Sequence, residues 1–272
     1  MKLIDHHVHS TCSVDGASSI ADYARRAASL GLAEVGFCEH VDLDPRDRGY
    51  DYLDPARYDQ EIAAARAMLL GVQLRQGVEI TYQACLEGTL RTWLAAHAWD
   101  YVVASVHLVD YADGWAYISE PDVVEAYFAA HSQRQAYEPY FQELLRAARS
   151  GLGDVLGHLD LVKRHGAARY GPFAPAAFEG EIRAVLRAAI ERGMGLEINT
   201  SGLRQPPGEP YPTLTVLRWY REWGGEILTI GSDAHQADNL GAGVMEALSL
   251  AREAGFQAIA TFEARQLRWI DL

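Results

Sequence analysis

The sequence predicts an α/β fold, a barrel of parallel strands with crossover helices, and three observations carry that reading. Short apolar, β-rich segments alternate with longer amphipathic ones from end to end. Several helical segments stop at glycine directly before a strand, as in "ASLGLAEVGF" and "IERGMGLEI". No G-x-G-x-x-G follows the first strand candidate and no Walker loop occurs, which tilts the choice from a nucleotide-binding sheet to a barrel.

In chain order the strand candidates are "KLIDHHVH", "AEVGFCEH", "VQLRQGVEI", "YVVASVH", "DVLGHLDL", "GLEINTS", "EILTIGSDAH" and the weaker "FQAIATF". Segments with helical spacing lie between them, among them "ASSIADYARRAASLGL", "DQEIAAARAMLLG" and "AAFEGEIRAVLRAAIERGMG". A helical insertion is expected from about 120 to 150, broken near "YEPYFQ" by Pro139. The stretch "SGLRQPPGEPYPT" reads as an extended loop after a strand. With no repeat, low-complexity run or linker-like shift, a single domain over 1–272 is expected.

The totals narrow the function. With 49% hydrophobic and 22% charged residues, 272 residues can bury a large core, and bulk disorder is excluded. A formal net charge of -13 repels phosphate backbones, so a nucleic-acid partner is not expected. Cys12, Cys38 and Cys85 form no C-x-x-C pair and cannot all be bridged, which fits a reducing compartment. No stretch is long and uncharged enough to span a bilayer, and "MKLIDHHVHS" lacks a signal-peptide core. A cytoplasmic location without a membrane partner is the expectation.

Six of the ten histidines, His7, His9, His40, His107, His158 and His235, lie at or just after the ends of five strand candidates. In a parallel barrel those ends share one rim, so these side chains can converge. Residues two apart on a strand share a face, which pairs His7 with His9 and turns His6 away, and lets Asp233 and His235 point together. Asp15, Glu79 and Asp233 are acids in comparable places. Such nitrogen and carboxylate ligands suit zinc, manganese or iron. Asp15 can also be read as the first residue of an Asp-Gly turn. Cys12 and Cys38 read as small buried hydrophobes, and His97, His131 and His165 as surface or satisfied core residues.

The ordered set "DHHVHS", "EH", "GVEI", "SVH", "GHLDL" and "GSDAH" resembles the motifs of the polymerase-and-histidinol-phosphatase (PHP) superfamily of metal-dependent phosphoesterases. Within it, "ASVHLVDYADGW", "DVLGHLDLVKRHG" and "INTSGLRQPPGEPYP" are similar to stretches of the monofunctional histidinol-phosphatases. The resemblance implies a distorted (β/α)7 TIM-like barrel with three divalent metals on the strand C-terminal rim. It places His7, His9, Glu79 and Asp233 on the first metal, Glu79, His107 and His158 on the second, and Asp15, His40 and His235 on the third. Asp15 stands where some superfamily members supply a histidine. Three divalent cations outweigh three carboxylates, leaving positive charge to meet a phosphate dianion.

The implied reaction is hydrolysis of L-histidinol phosphate to L-histidinol and phosphate in histidine biosynthesis. Asp160, His235 and Arg164 are the catalytic candidates. Asp160 reads either as an acid for the leaving group or as a carboxylate orienting His158. Arg164, Lys163, Ser201 and Arg204 are candidate phosphate and substrate contacts. For the substrate's amine and imidazole, Asp42, Asp110, Tyr117 and Glu209 are available. The competing readings are a nucleotide phosphoesterase or nuclease, a phosphotyrosine phosphatase, and a metal-binding module without activity.

Overall fold

The computed structural model describes residues 2–112 and 114–272. The chain begins β1 (Ile4–Val8), α1 (Ile20–Leu30), β2 (Glu34–Val41), α2 (Pro55–Arg66), β3 (Gln73–Thr81), α3 (Glu87–Ala95) and β4 (Tyr101–Ser105). A hairpin of β5 (Leu108–Tyr111) and β6 (Gly114–Tyr117) follows, then α4 (Pro121–Ala130) and α5 (Gln133–Ser150). The alternation resumes with β7 (Val155–Leu156), α6 (Lys163–Tyr170), α7 (Glu179–Arg192), β8 (Gly195–Asn199), α8 (Leu214–Glu222), β9 (Leu228–Gly231) and α9 (Val244–Glu253). A second hairpin, β10 (Ala258–Glu263) and β11 (Gln266–Asp271), comes last.

Seven parallel strands form the barrel in the order β1-β2-β3-β4-β7-β8-β9. The seam between β9 and β1 is closed at the rim by a parallel bridge of Val8 to Ala234. There His9 N donates to Ala234 O at 2.9 Å and Asp233 N to His7 O at 2.7 Å. Lower in the seam, the buried Asp5 carboxylate accepts from the backbone N–H groups of Ser232 and Gly241, both at 2.8 Å. Seven strands with covering helices match the distorted (β/α)7 expectation.

Local chemistry sets the boundaries. Ser19 and Asp22 make a reciprocal capping box at the start of α1. The helices expected to stop at glycine do so, with Gly31 at φ 70° and Gly193 at φ 69°, a left-handed turn that a side chain resists. The lower barrel interior is apolar: Cys38, Tyr101, Val103 and Val155 pack against Ala260 and Phe262 of β10. Tyr101 fits because Gly36 and Gly77 carry no Cβ where its ring lies.

Two expectations need correction. "FQAIATF" forms β10, which pairs antiparallel with β11 instead of joining the barrel. The insertion is interrupted at His131 and Ser132, where Ser132 caps α5, and α5 runs on through Pro139. A proline leaves a carbonyl one turn earlier without its N–H partner; the Tyr127 hydroxyl lies over that turn, 3.0 Å from Ala136 O and 3.5 Å from Gln135 O. The β5–β6 hairpin was not anticipated.

Candidate metal centre

Each strand end delivers its side chain to the upper barrel interior. β1 brings His7 and His9, β2 His40, and β3 Glu79, while His107, His158, Asp233 and His235 stand just past β4, β7 and β9. His6 turns away as expected, its Nε2 lying 2.6 Å from Glu34 Oε1 and 3.1 Å from Thr261 Oγ1. Asp233 adopts φ 54°, a strained value for a residue with a side chain that is typical of functional positions.

Glu79 lies at the middle, almost fully buried, and its two oxygens face different groups. Oε2 is 3.4 Å from His7 Nε2, 3.5 Å from His9 Nε2 and 3.2 Å from His40 Nδ1. Oε1 is 2.9 Å from His158 Nε2 and 3.6 Å from His107 Nε2. His9 Nε2 is 3.4 Å from Asp233 Oδ1. Asp15 Oδ2 is 3.3 Å from His235 Nε2 and 3.7 Å from His40 Nε2. All nine residues expected as ligands are thus gathered in one cluster.

The spacing fits metal ions. Bonds of about 2.0–2.1 Å to a tetrahedral ion leave ligand atoms roughly 3.3 Å apart, and the Nε2 atoms of His7 and His9 are 3.0 Å apart, those of His107 and His158 3.3 Å. Outer contacts turn lone pairs inward: Glu197 Oε1 holds His7 Nδ1 at 2.5 Å, and Thr81 Oγ1 holds His107 Nδ1 at 2.8 Å. Burial, reinforced by neighbouring histidines, lowers His9 to about 3, and burial lowers His107 likewise to about 3, so both are neutral, ligand-ready rings. Burial opposes ionisation of Glu79 and Asp233, yet the surrounding histidines hold both well below the usual carboxylate range.

Sequence reasoning missed this outer layer. Glu197 Oε2 also accepts from His158 N at 3.0 Å and Asn199 Nδ2 at 3.2 Å. Ser13 Oγ, 2.6 Å from Glu39, accepts from His40 N and lies 3.4 Å from His9 Nδ1. The one available signal was an acid inside the strand candidate "GLEINTS".

The cleft above the cluster corrects several expected contacts. Arg164 lines it, with Nε on Gln205 Oε1 at 2.8 Å and Nη2 3.7 Å from Asp233 Oδ2. Lys163 points away into the core, where Nζ binds Asp160 Oδ2 at 3.1 Å, Glu209 Oε1 at 3.0 Å and Pro210 O at 2.9 Å. Asp160 therefore serves Lys163 and the Thr213 N–H, not the cleft. Ser201 is turned onto Asn199 Oδ1, and Arg204 onto the Ser232 carbonyl. Asp42 is engaged by Thr81, Asp110 by Arg46 and Glu209 by Lys163. Tyr117 does line the cleft, beside the unanticipated Arg48, Ser119 and Glu120. A roomier groove of about 420 Å³ beside Arg66 and Leu70 has no His, Asp, Glu or Cys in its lining.

Seven parallel strands with a rim of histidines and carboxylates spaced for metal binding define a metal-dependent barrel hydrolase of the phosphoesterase type. The chain belongs to the PHP domain family, whose pattern matches residues 5–201. The "Probable histidinol-phosphatase" of Deinococcus radiodurans is 30% identical over 274 residues, covering 98% of each chain. The "Histidinol-phosphatase" of Lactococcus lactis is 28% identical, covering 98% of this chain and 97% of its own. A crystal structure of histidinol phosphate phosphatase from Lactococcus lactis, complexed with zinc, L-histidinol and phosphate, superposes with a TM-score of 0.84 at 26% identity, covering 98% of this chain and 99% of that one.

Proposed function

We propose that this chain is a divalent-metal-dependent phosphomonoesterase that hydrolyses L-histidinol phosphate to L-histidinol and phosphate in histidine biosynthesis, in the cytoplasm. The observation that carries the reading is full-length likeness to histidinol-phosphatases, supported by a buried cluster in which His7, His9 and Glu79, and again Glu79, His107 and His158, lie close enough to share an ion. The free cysteines Cys12, Cys38 and Cys85 suit a reducing compartment.

In this reading His7, His9, Glu79 and Asp233 hold one ion, Glu79, His107 and His158 a second, and Asp15, His40 and His235 a third, with zinc, manganese or iron as the metal. Such ions neutralise the ester's dianion and supply a nucleophile from water at neutral pH. Arg164, on the cleft wall, offers its guanidinium fork to phosphate oxygens. Glu197 and Thr81 fix the tautomers of His7 and His107, and His235 enters catalysis as a ligand.

Phosphate release with added zinc or manganese tests this, comparing histidinol phosphate with p-nitrophenyl phosphate, phosphotyrosine, nucleoside monophosphates and a short oligonucleotide. Histidinol phosphate should lead in kcat/KM by orders of magnitude; a nucleotide or oligonucleotide in the lead overturns the substrate assignment. His107→Ala should lose several orders of magnitude in turnover with the fold intact, and near-normal turnover removes His107 from the ligand set.

A further inference from the structure

Four acids line the cleft: Asp15, Glu79, Asp233 and Glu120. The proposed function, on which this inference rests, commits the first three to metal ions. Glu120 alone keeps its charge for something else. It stands at the N-terminus of α4 but makes no side-chain capping hydrogen bond there. Among the described residues its one charged partner is Arg48, whose Nη2 lies 3.1 Å from Glu120 Oε1 and 3.4 Å from Asp15 Oδ2. Both contacts are to the same nitrogen. The two carboxylate oxygens are therefore separated by no more than those distances laid end to end, with a cation seated between them.

We infer that Glu120 is the specificity residue that receives the substrate's ammonium group, and that Arg48 is an internal cation occupying that seat until the substrate displaces it. In an amino-alcohol phosphate the ammonium sits three bonds from the ester oxygen, so a phosphate held on the metal cluster keeps it within the cleft that Glu120 and Arg48 line. A net-positive cluster repels an ammonium there unless a carboxylate free of metal offsets it. An ammonium is a compact point charge with donors enough for such an acid. Arg48 is suited to leave: its side chain is 55% exposed. Its neighbour Arg46 is tied down by Asp44, Gln83 and Asp110. Arg48 and Glu120 come from the loop after β2 and the segment after β6, outside the barrel ladder that carries the ligands.

The test uses metal-loaded protein and two esters, L-histidinol phosphate and its analogue lacking the amine, 3-(imidazol-4-yl)propyl phosphate. In Glu120→Gln the ratio of kcat/KM between the two should fall about ten- to a hundredfold, the weight of a hydrogen bond to a charged group. Calorimetric titration with L-histidinol should show weakening of the same order. An unchanged ratio, or an unchanged affinity for L-histidinol, overturns the assignment of Glu120. In Arg48→Met, L-histidinol should bind several-fold tighter; equal or weaker binding overturns the stand-in role of Arg48. A wild type without preference for histidinol phosphate fails the proposed function itself and this inference with it. A wild type with that preference, retained in Glu120→Gln, fails this inference alone.

Discussion

Glu197 holds His7 Nδ1 at 2.5 Å with one oxygen and the backbone N–H of His158 at 3.0 Å with the other. One carboxylate on β8 thus sets a ring from β1 and the main chain that follows β7. Partners of this kind typically carry ten- to a hundredfold of metal affinity or activity. Glu197→Gln should weaken metal binding by about that factor, measured by competition with a chelator. A change below about twofold would show that the ring is held by packing alone.

Gly231 stands against the same pair. A methyl group there would overlap His7 Cβ and press on Glu197. Gly231→Ala should cost about 1–3 kcal/mol of stability through overpacking, read from urea unfolding, and should weaken metal binding as well. Full metal affinity in the variant would mean that β9 gives way without moving His7.

His40 is one of three rings in the cluster, with His7 and His235, that nearby carboxylates hold in the protonated form and whose proton a bound metal would displace. Burial favours the neutral form, but Glu79, Asp15, Asp42 and Asp233 raise its pKa from 6.5 to about 9. Metal uptake at neutral pH should therefore release a proton from this ring, and affinity should rise with pH until about 9. The metal-free protein gives the sign in stability. Because the folded pKa exceeds the unfolded one, the contribution is complete below 6.5 and is lost as pH climbs through about 9. The Tm of chelator-treated wild type should fall across that window more steeply than that of His40→Gln; parallel curves would remove His40 as the cause.

Lys163 is fully buried against Asp160. Lys163→Met strands that carboxylate and should cost about 3–5 kcal/mol, seen as a lower Tm, with part regained in the Asp160→Asn, Lys163→Met double variant. A tenfold rise in KM with an unaltered Tm would return Lys163 to the substrate-contact role its sequence position suggested.

The barrel and the gathering of the candidate ligands at one rim were legible because their signals are local. Each of His7, His9, His107, His158, Asp233 and His235 follows a short β-rich run, and a parallel barrel sends every such end to one rim. What failed depended on rotation or on contacts between distant segments. Lys163 and Arg164 are adjacent in "LVKRHG", yet they open α6 about 100° apart around its axis, one toward the core and the other into the cleft. Glu197 looks like any acid in a strand until β9, with Gly231 bare of a side chain, lets it reach β1. β10 has a strand's composition, and only its pairing with β11 separates it from the barrel.

The seam held by Asp5 has a consequence for how the centre comes into being. Its hydrogen bonds to Ser232 and Gly241 span 227 and 236 positions of the chain. His7 and His9 on the β1 side and Asp233 on the β9 side are therefore brought together only when the two ends of the barrel ladder meet. A nascent chain lacking β9 carries an open-sided first cluster. Contacts so distant in sequence are slow to form, so closure of the β9–β1 seam, and not formation of either strand, is the step that brings His7, His9 and Asp233 together.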